Sequence, residues 1–180
     1  MKLNTNRIEA LTDGIFAIVM TVMILSFSEM VGFKGIKEND FHVFFIGLKD
    51  DFMSYAVSFL ILGILWFEHH WQFYYIKHTD PVVVLLHVLW FMFVCIIPFS
   101  ALLAGNHPNL FAPLLAFEIN IAIVFAILCV NWIYATTGHR LVDASLDKKI
   151  ISGHSIMVIT LVVVAIVAIG FSVLTGKHRV

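Results

Sequence analysis

Three charged side chains lie at the start of a segment that is otherwise apolar enough to cross a bilayer. The segment covers residues 7–28, and Arg7, Glu9 and Asp13 fall within its first two turns. Charges at membrane depth are energetically expensive, so they pair inside a helical bundle or line an ion pathway. Arg7 and Asp13 are six positions apart, about 240° around a helix, and therefore need partners on other helices or subunits. The two interpretations are an inter-helix polar clasp and an ion-pathway network.

A second pattern in the same segment is a stripe of residues spaced alternately by four and three. At about 3.6 residues per turn these positions share one face of a helix. The stripe consists of Arg7, Leu11, Gly14, Ile18, Thr21, Leu25 and Ser28. Such a stripe is usually a packing seam, as in an assembly protein without a pore. In a homo-oligomer, copies around a symmetry axis would instead form a pore wall, with an aliphatic constriction that gates by dewetting and a hydroxyl ring for cations.

Histidines are the remaining candidates for chemistry. Glu68, His69 and His70 follow Trp66 in a second apolar segment. Consecutive helical positions point about 100° apart, so the two histidines do not form the i, i+4 pair that binds metal on one helix. A membrane redox, haem or metal-binding protein would need pairing between helices, for example of His70 with His87. We favour a hydrogen-bonded, pH-responsive histidine that contacts the charged start of the first segment, with no cofactor and no metal.

The elements that position these residues are membrane helices. The 180-residue chain is 61% hydrophobic and 13% charged, and its mean hydropathy of +0.96 predicts an integral membrane protein. The apolar segments predict one all-α transmembrane domain over residues 1–180, with spans at about 7–28, 53–76, 82–103, 110–134 and 155–174. The net charge of −1, without a basic stripe, argues against nucleic acid as a partner and leaves the lipid bilayer.

Polar residues inside the fourth predicted span need partners of their own. Glu118, Asn120 and Asn131 interrupt an otherwise apolar run. Lipid offers no hydrogen bonds to such groups. We therefore expect these three side chains to point into the bundle or across a subunit contact.

The first segment resembles the start of the first transmembrane helix in prokaryotic members of the lysosomal and endosomal potassium channel family. That family carries R-x-x-x-F-S-D, a frame that this chain fills with Arg7, Leu11, Thr12 and Asp13. The arginine and aspartate match, Thr12 keeps the hydroxyl of the serine, and Leu11 replaces the phenylalanine. The resemblance continues through DGIFAIVMT and into the next two spans, at Tyr55, Ser58, Phe59, Trp66, His69, His70, Pro98, Phe99 and Ser100.

The resemblance implies a bundle of five to six helices that assembles as a homotetramer around its first helix, in a prokaryotic plasma membrane. It implies a channel rather than an enzyme, permeable to K⁺ and other monovalent cations, with modest K⁺ over Na⁺ selectivity and no TVGYG filter, a motif absent from this sequence. By position, the hydrophobic gate falls on Ile18, the hydroxyl layer on Thr21 and the next aliphatic layer on Leu25. Arg7 and Asp13 are implied to join a network with a second-helix histidine.

Overall fold

Five long helices account for most of the residues that the structure describes. The computed structural model describes residues 4–31, 41–107 and 109–176, with side chains over these ranges except 26–31, 41–51 and 54. The helices are α1 (Asn6–Val31), α2 (Phe41–Tyr75), α3 (Pro81–Asn106), α4 (Phe111–Thr136) and α5 (Lys148–Gly176). Across these ranges, β structure is limited to one isolated bridge between Ile76 and Val142. The predicted all-α class is confirmed, while the side chain of Ser28 lies outside the described residues.

Four helical segments are long and apolar enough to cross a membrane. They are Asn6–Leu25, Pro81–Asn106, Phe111–His139 and Lys148–Gly176, with mean hydropathies from 2.0 to 3.0. They overlap the first, third, fourth and fifth predicted spans. Part of α2 lies outside the described side chains. The span at 53–76 therefore stays a prediction.

The core of the bundle lies among the first four helices. α1 packs on α2 and α3, α3 packs on α4, and α5 packs on α4. The main apolar cluster joins α1 to α4 through side chains that include Phe16, Leu65, Trp90 and Val124. A second cluster brings the start of α1 to the end of α2, the start of α3 and the end of α4, through Ile8, Phe73, Val83 and Ala135. The charged start of α1 therefore lies beside the last turns of α2.

The start of α3 is fixed by an aspartate cap. The Asp80 carboxylate accepts hydrogen bonds from the amides of Val82 and Val83 at 3.1 and 3.0 Å, and one from the Tyr134 hydroxyl at 2.7 Å. Partial burial acts to raise the pKa of Asp80, but these hydrogen bonds outweigh it and lower that pKa below its ordinary value of 3.8. The cap thus ties the start of α3 to the last turns of α4.

Candidate functional site

Helix α1 has one buried face and one exposed face. Residues on the buried face are each at most 8% exposed: Ile8, Thr12, Phe16, Val19 and Met23. On the stripe, by contrast, Leu11, Ile18 and Leu25 are 52%, 64% and 62% exposed. Arg7, Gly14 and Thr21 are exposed on the same side. Lipid or another molecule must therefore cover most of the stripe in the membrane.

The Thr21 hydroxyl is oriented by the backbone of its own helix. Its oxygen lies 2.9 Å from the carbonyl oxygen of Ala17 and 2.8 Å from that of Ile18, and the hydroxyl donates its proton toward them. A hydroxyl has one proton and two lone pairs, so the oxygen keeps its capacity to accept. The exposed side of Thr21 therefore presents a hydroxyl oxygen that can accept a hydrogen bond.

Asp13 is held by a tryptophan of α2. The Trp66 indole Nε1–H donates to Asp13 Oδ1 at 2.8 Å, and the His70 ring stacks on Trp66 with ring centroids 5.7 Å apart. A histidine that contacts Asp13 or Arg7 was expected, and the structure places the indole of Trp66 between Asp13 and His70. Within the described ranges, neither a hydrogen bond nor an ion pair joins Arg7 to this group. The network that the structure brings together is therefore Asp13, Trp66 and His70.

A second contact between α1 and α2 is made by Thr12. Its hydroxyl donates to the carbonyl of Ile8 at 2.8 Å, and its oxygen lies 3.2 Å from His69 Nε2. This pattern assigns the ring proton to His69 Nε2, which donates to the hydroxyl. The His69 ring is stacked between Phe73 and Trp90, with centroids 4.4 and 5.2 Å away. Thr12 and Asp13 thus anchor two adjacent positions of α1 to α2.

The histidine that meets His87 is His69, since their ring centroids lie 5.2 Å apart, edge to face. His70, the example given for a metal-binding pair with His87, is exposed and stacks on Trp66, whereas His87 is only 2% exposed. The His87 Nδ1 lies 2.8 Å from the carbonyl oxygen of Val83. Over the residues with described side chains, no group of three or more histidine, cysteine or acidic residues could hold a metal ion.

The polar residues of α4 turn inward, as expected. Asn120 and Asn131 are 5% and 1% exposed, and Asn120 Nδ2 donates to the Ser100 hydroxyl at 3.3 Å. Glu118 accepts a hydrogen bond of 2.7 Å from the Ser172 hydroxyl. The α4 side chains therefore join α3 and α5.

A buried polar group links α2, α4 and α5, and most of it was not predicted. Glu68 Oε1 lies 2.7 Å from His154 Nε2, and Gln72 Nε2 donates to the same Glu68 oxygen at 3.3 Å. Asn131 donates to Gln72 at 2.9 Å, and the His154 ring stacks on Trp71 with centroids 3.9 Å apart. The sequence signal was the pair of polar residues four apart, Glu68 and Gln72, in an apolar segment. Nothing in it pointed to His154 as the partner.

The fold and this site define an all-helical membrane protein with several spans, whose first helix is anchored on one side and exposed on the other. The family described as endosomal/lysosomal potassium channel TMEM175 matches residues 7–98. A protein of Streptomyces collinus named as a potassium channel is 30% identical over 151 residues, which cover 79% of this chain and 70% of that protein. This chain belongs to the TMEM175 family.

Two further similarities extend the comparison. A crystal structure described as a lysosomal potassium-selective channel TMEM175 homolog from Chamaesiphon minutus has a TM-score of 0.66 at 21% identity, covering 97% of this chain and 95% of that one, and it shows the shared fold. A cattle protein named endosomal/lysosomal proton channel TMEM175 is 34% identical over 103 residues, which are 54% of this chain and 22% of that protein. The relatives are named as ion channels, in agreement with the expectation that the chain is not an enzyme.

Proposed function

We propose that this protein is a potassium-permeable cation channel of a prokaryotic plasma membrane, formed by four copies with α1 around the central pore. The observation that carries the proposal is the exposed stripe on a helix whose opposite face is buried in the bundle. The Streptomyces relative, of which the chain covers 70%, is named as a potassium channel, and this name supports K⁺ as the permeant ion.

The composition of the stripe favours a pore over a lipid-facing surface. Lipid-facing positions need only be apolar, whereas this face carries Arg7 at one end and the Thr21 hydroxyl near the other end of its described part. A Cβ on Gly14 would meet no atom within 4 Å, so packing inside the chain does not require a glycine there. Small residues allow helices of neighbouring subunits to approach closely. In a pore around a shared axis, Arg7 and the Thr21 hydroxyl would face the ion pathway, and Gly14 would allow close approach of neighbouring subunits.

In this arrangement, Ile18 and Thr21 form successive layers of the pore. Three residues of helix separate them by about 4.5 Å along the axis. A narrow isoleucine ring excludes water and blocks ions, and a small rotation or splaying of α1 wets it. Thr21 hydroxyls then replace part of the hydration of the ion, which discriminates K⁺ from Na⁺ less strongly than a filter of stacked carbonyls. Leu25 forms the next aliphatic layer.

The contacts behind α1 hold this wall in position. Thr12 and Asp13 are attached to His69 and Trp66, on the side of the helix away from the stripe or on its flank. Any rotation that moves Ile18 must shift these hydrogen bonds or carry α2 with it. The network is therefore proposed to set the rest position of the gate. Arg7, at the charged end of the stripe, would lie at the pore mouth.

Ion flux into liposomes tests the proposal. We expect the reconstituted protein to pass K⁺ faster than Na⁺ and to exclude N-methylglucamine, with protein-free liposomes as the control. A proton-flux arm is included because the cattle relative is named a proton channel. Absence of K⁺ flux in protein shown to be folded and oligomeric would contradict the proposal, as would equal passage of the bulky cation.

Replacing Thr21 with valine is expected to lower the ratio of K⁺ to Na⁺ permeability by about two- to tenfold, since one hydrogen-bonding group contributes about 0.5–1.5 kcal/mol. Reversal potentials under bi-ionic conditions measure the ratio. Thr21→Ser should retain it. Thr160→Val is the matched control, because Thr160 is exposed on α5 and donates to a backbone carbonyl at 2.8 Å in the same way. An unchanged ratio in Thr21→Val would remove Thr21 from selectivity.

A further inference from the structure

A groove of about 390 Å³ lies between α2 and α5 and takes no part in the proposed pore. Its walls include the aromatic residues Phe67, Trp71 and Tyr75 of α2 and Met157 of α5, and Lys149 stands at the start of α5. The His154 ring, stacked on Trp71 at 3.9 Å, forms part of the lining. This volume falls in the range of small-molecule sites, about 300–1,000 Å³.

The groove has an apolar wall and lies at the depth of the membrane helices. α5 packs on α4, while its link to α2 runs through His154, which contacts Glu68 and stacks on Trp71. A cleft therefore remains between α2 and α5, and it is open to the surface of the bundle next to Phe67 and Met157. Phe67 is 60% exposed and Met157 43%. In a bilayer, the molecule available to fill such a cleft is a lipid chain.

The end of the groove carries an uncompensated cation. Lys149 is the second residue of α5, and over the described side chains no carboxylate lies within 4.0 Å of its ammonium group. The neighbouring carboxylate, Asp147, is engaged by the helix, since it accepts a hydrogen bond of 2.8 Å from the Lys149 amide. Tryptophan and tyrosine beside it, at Trp71 and Tyr75, are typical of the membrane interface. An anionic headgroup complements this charge at the depth where lipid phosphates lie.

We propose that this groove binds one anionic phospholipid, with its phosphate at Lys149 and an acyl chain along Trp71, Phe67 and Met157. The inference depends on insertion into a membrane and is independent of ion conduction. Its consequence is that the lipid completes the packing between α5 and α2.

Tryptophan quenching by brominated lipids tests the site in the full-length protein. Trp71 lines the groove, whereas Trp90 and Trp132 are buried at 1% and 0% exposure. Trp66 is 38% exposed outside the groove, so the signal of Trp71 is taken as the quenching that is lost in Trp71→Phe. In phosphatidylcholine bilayers, brominated phosphatidylglycerol is expected to quench more than brominated phosphatidylcholine at the same mole fraction. Equal quenching by the two lipids would overturn the proposal. So would protection of Trp71 from both lipids, which would show that a second copy covers the groove.

The charge is tested by Lys149→Gln, which should weaken relative binding of phosphatidylglycerol about fivefold, the effect of one cation near a membrane surface. Lys148→Gln is the matched control, because Lys148 is the adjacent residue and does not line the groove. An equal loss in both variants would show diffuse surface attraction and overturn the assignment to the groove.

The requirement for open space in the groove is tested by Gly153→Leu. Gly153 lines the groove, and a Cβ there would meet no atom within 4 Å, so leucine fills the groove without a clash at its Cβ. The preference for phosphatidylglycerol is expected to disappear. Gly170→Leu, at an equally open glycine of α5 outside the groove, should keep it. Preference retained in Gly153→Leu, or lost equally in Gly170→Leu, would overturn the proposal.

Discussion

Replacing Ile18 with asparagine is expected to raise the potassium leak current of the reconstituted channel by about tenfold or more. The Ile18 side chain is 64% exposed on the stripe, where four copies would form the dry constriction. Removing one isoleucine from an apolar contact changes its free energy by about 1.5–3 kcal/mol, and about 1.4 kcal/mol corresponds to tenfold in an equilibrium. Polar side chains at this layer would stabilise the wet state. Single-channel or liposome K⁺ currents measure the effect.

The matched control for this gate is Ile24→Asn. Ile24 is the same residue type on the same helix and is 45% exposed, but it lies about 240° around the helix from Ile18. Its substitution should leave the current near that of the original protein. If both variants raise the current equally, asparagine perturbs α1 in general. If neither does, the gate lies elsewhere.

The second large effect is expected at the buried pair of Glu68 and His154. Replacing His154 with phenylalanine should lower the free energy of unfolding by about 1–3 kcal/mol, because it leaves the buried Glu68 Oε1 with Gln72 as its remaining partner. Phenylalanine keeps an aromatic ring against Trp71, so loss of stacking does not explain the effect. Denaturation of the detergent-solubilised protein, followed by circular dichroism, measures it.

The double variant Glu68→Leu with His154→Phe distinguishes the loss of the polar contact from the loss of packing. Replacing both partners of a buried polar contact by apolar groups of similar shape is often nearly neutral or stabilising. We therefore expect the double variant to recover most of the stability that the single variant loses. His78→Phe, at an exposed histidine, should have little effect. Losses that simply add in the double variant would show that the pair is not coupled.

Hydropathy and helical periodicity were sufficient to predict the class of fold and the exposed stripe on α1. A run of apolar residues long enough to span a bilayer has little alternative to a helix, because lipid satisfies no backbone hydrogen bonds. The spacing of Leu11, Ile18, Thr21 and Leu25 places them on one face of any such helix. The inward direction of Asn120 and Asn131 followed from the same cost of exposing polar groups to lipid. All of these are properties of single segments.

Partners between helices were decided by the tertiary structure. The sequence suggested a histidine of α2 beside Asp13 or Arg7, and the rotation of α2 against α1 places Trp66 at Asp13. That rotation also brings His69, not His70, to His87, and the packing of α5 on α4 brings His154 to Glu68. The charged residues at the start of α1 therefore lie on two sides of the helix. Asp13 is on a flank that α2 holds, and Arg7 is on the exposed stripe. Periodicity within α1 was enough to predict the stripe. The partners of the polar side chains depend on how the helices rotate against one another, and no local sequence pattern determines that rotation.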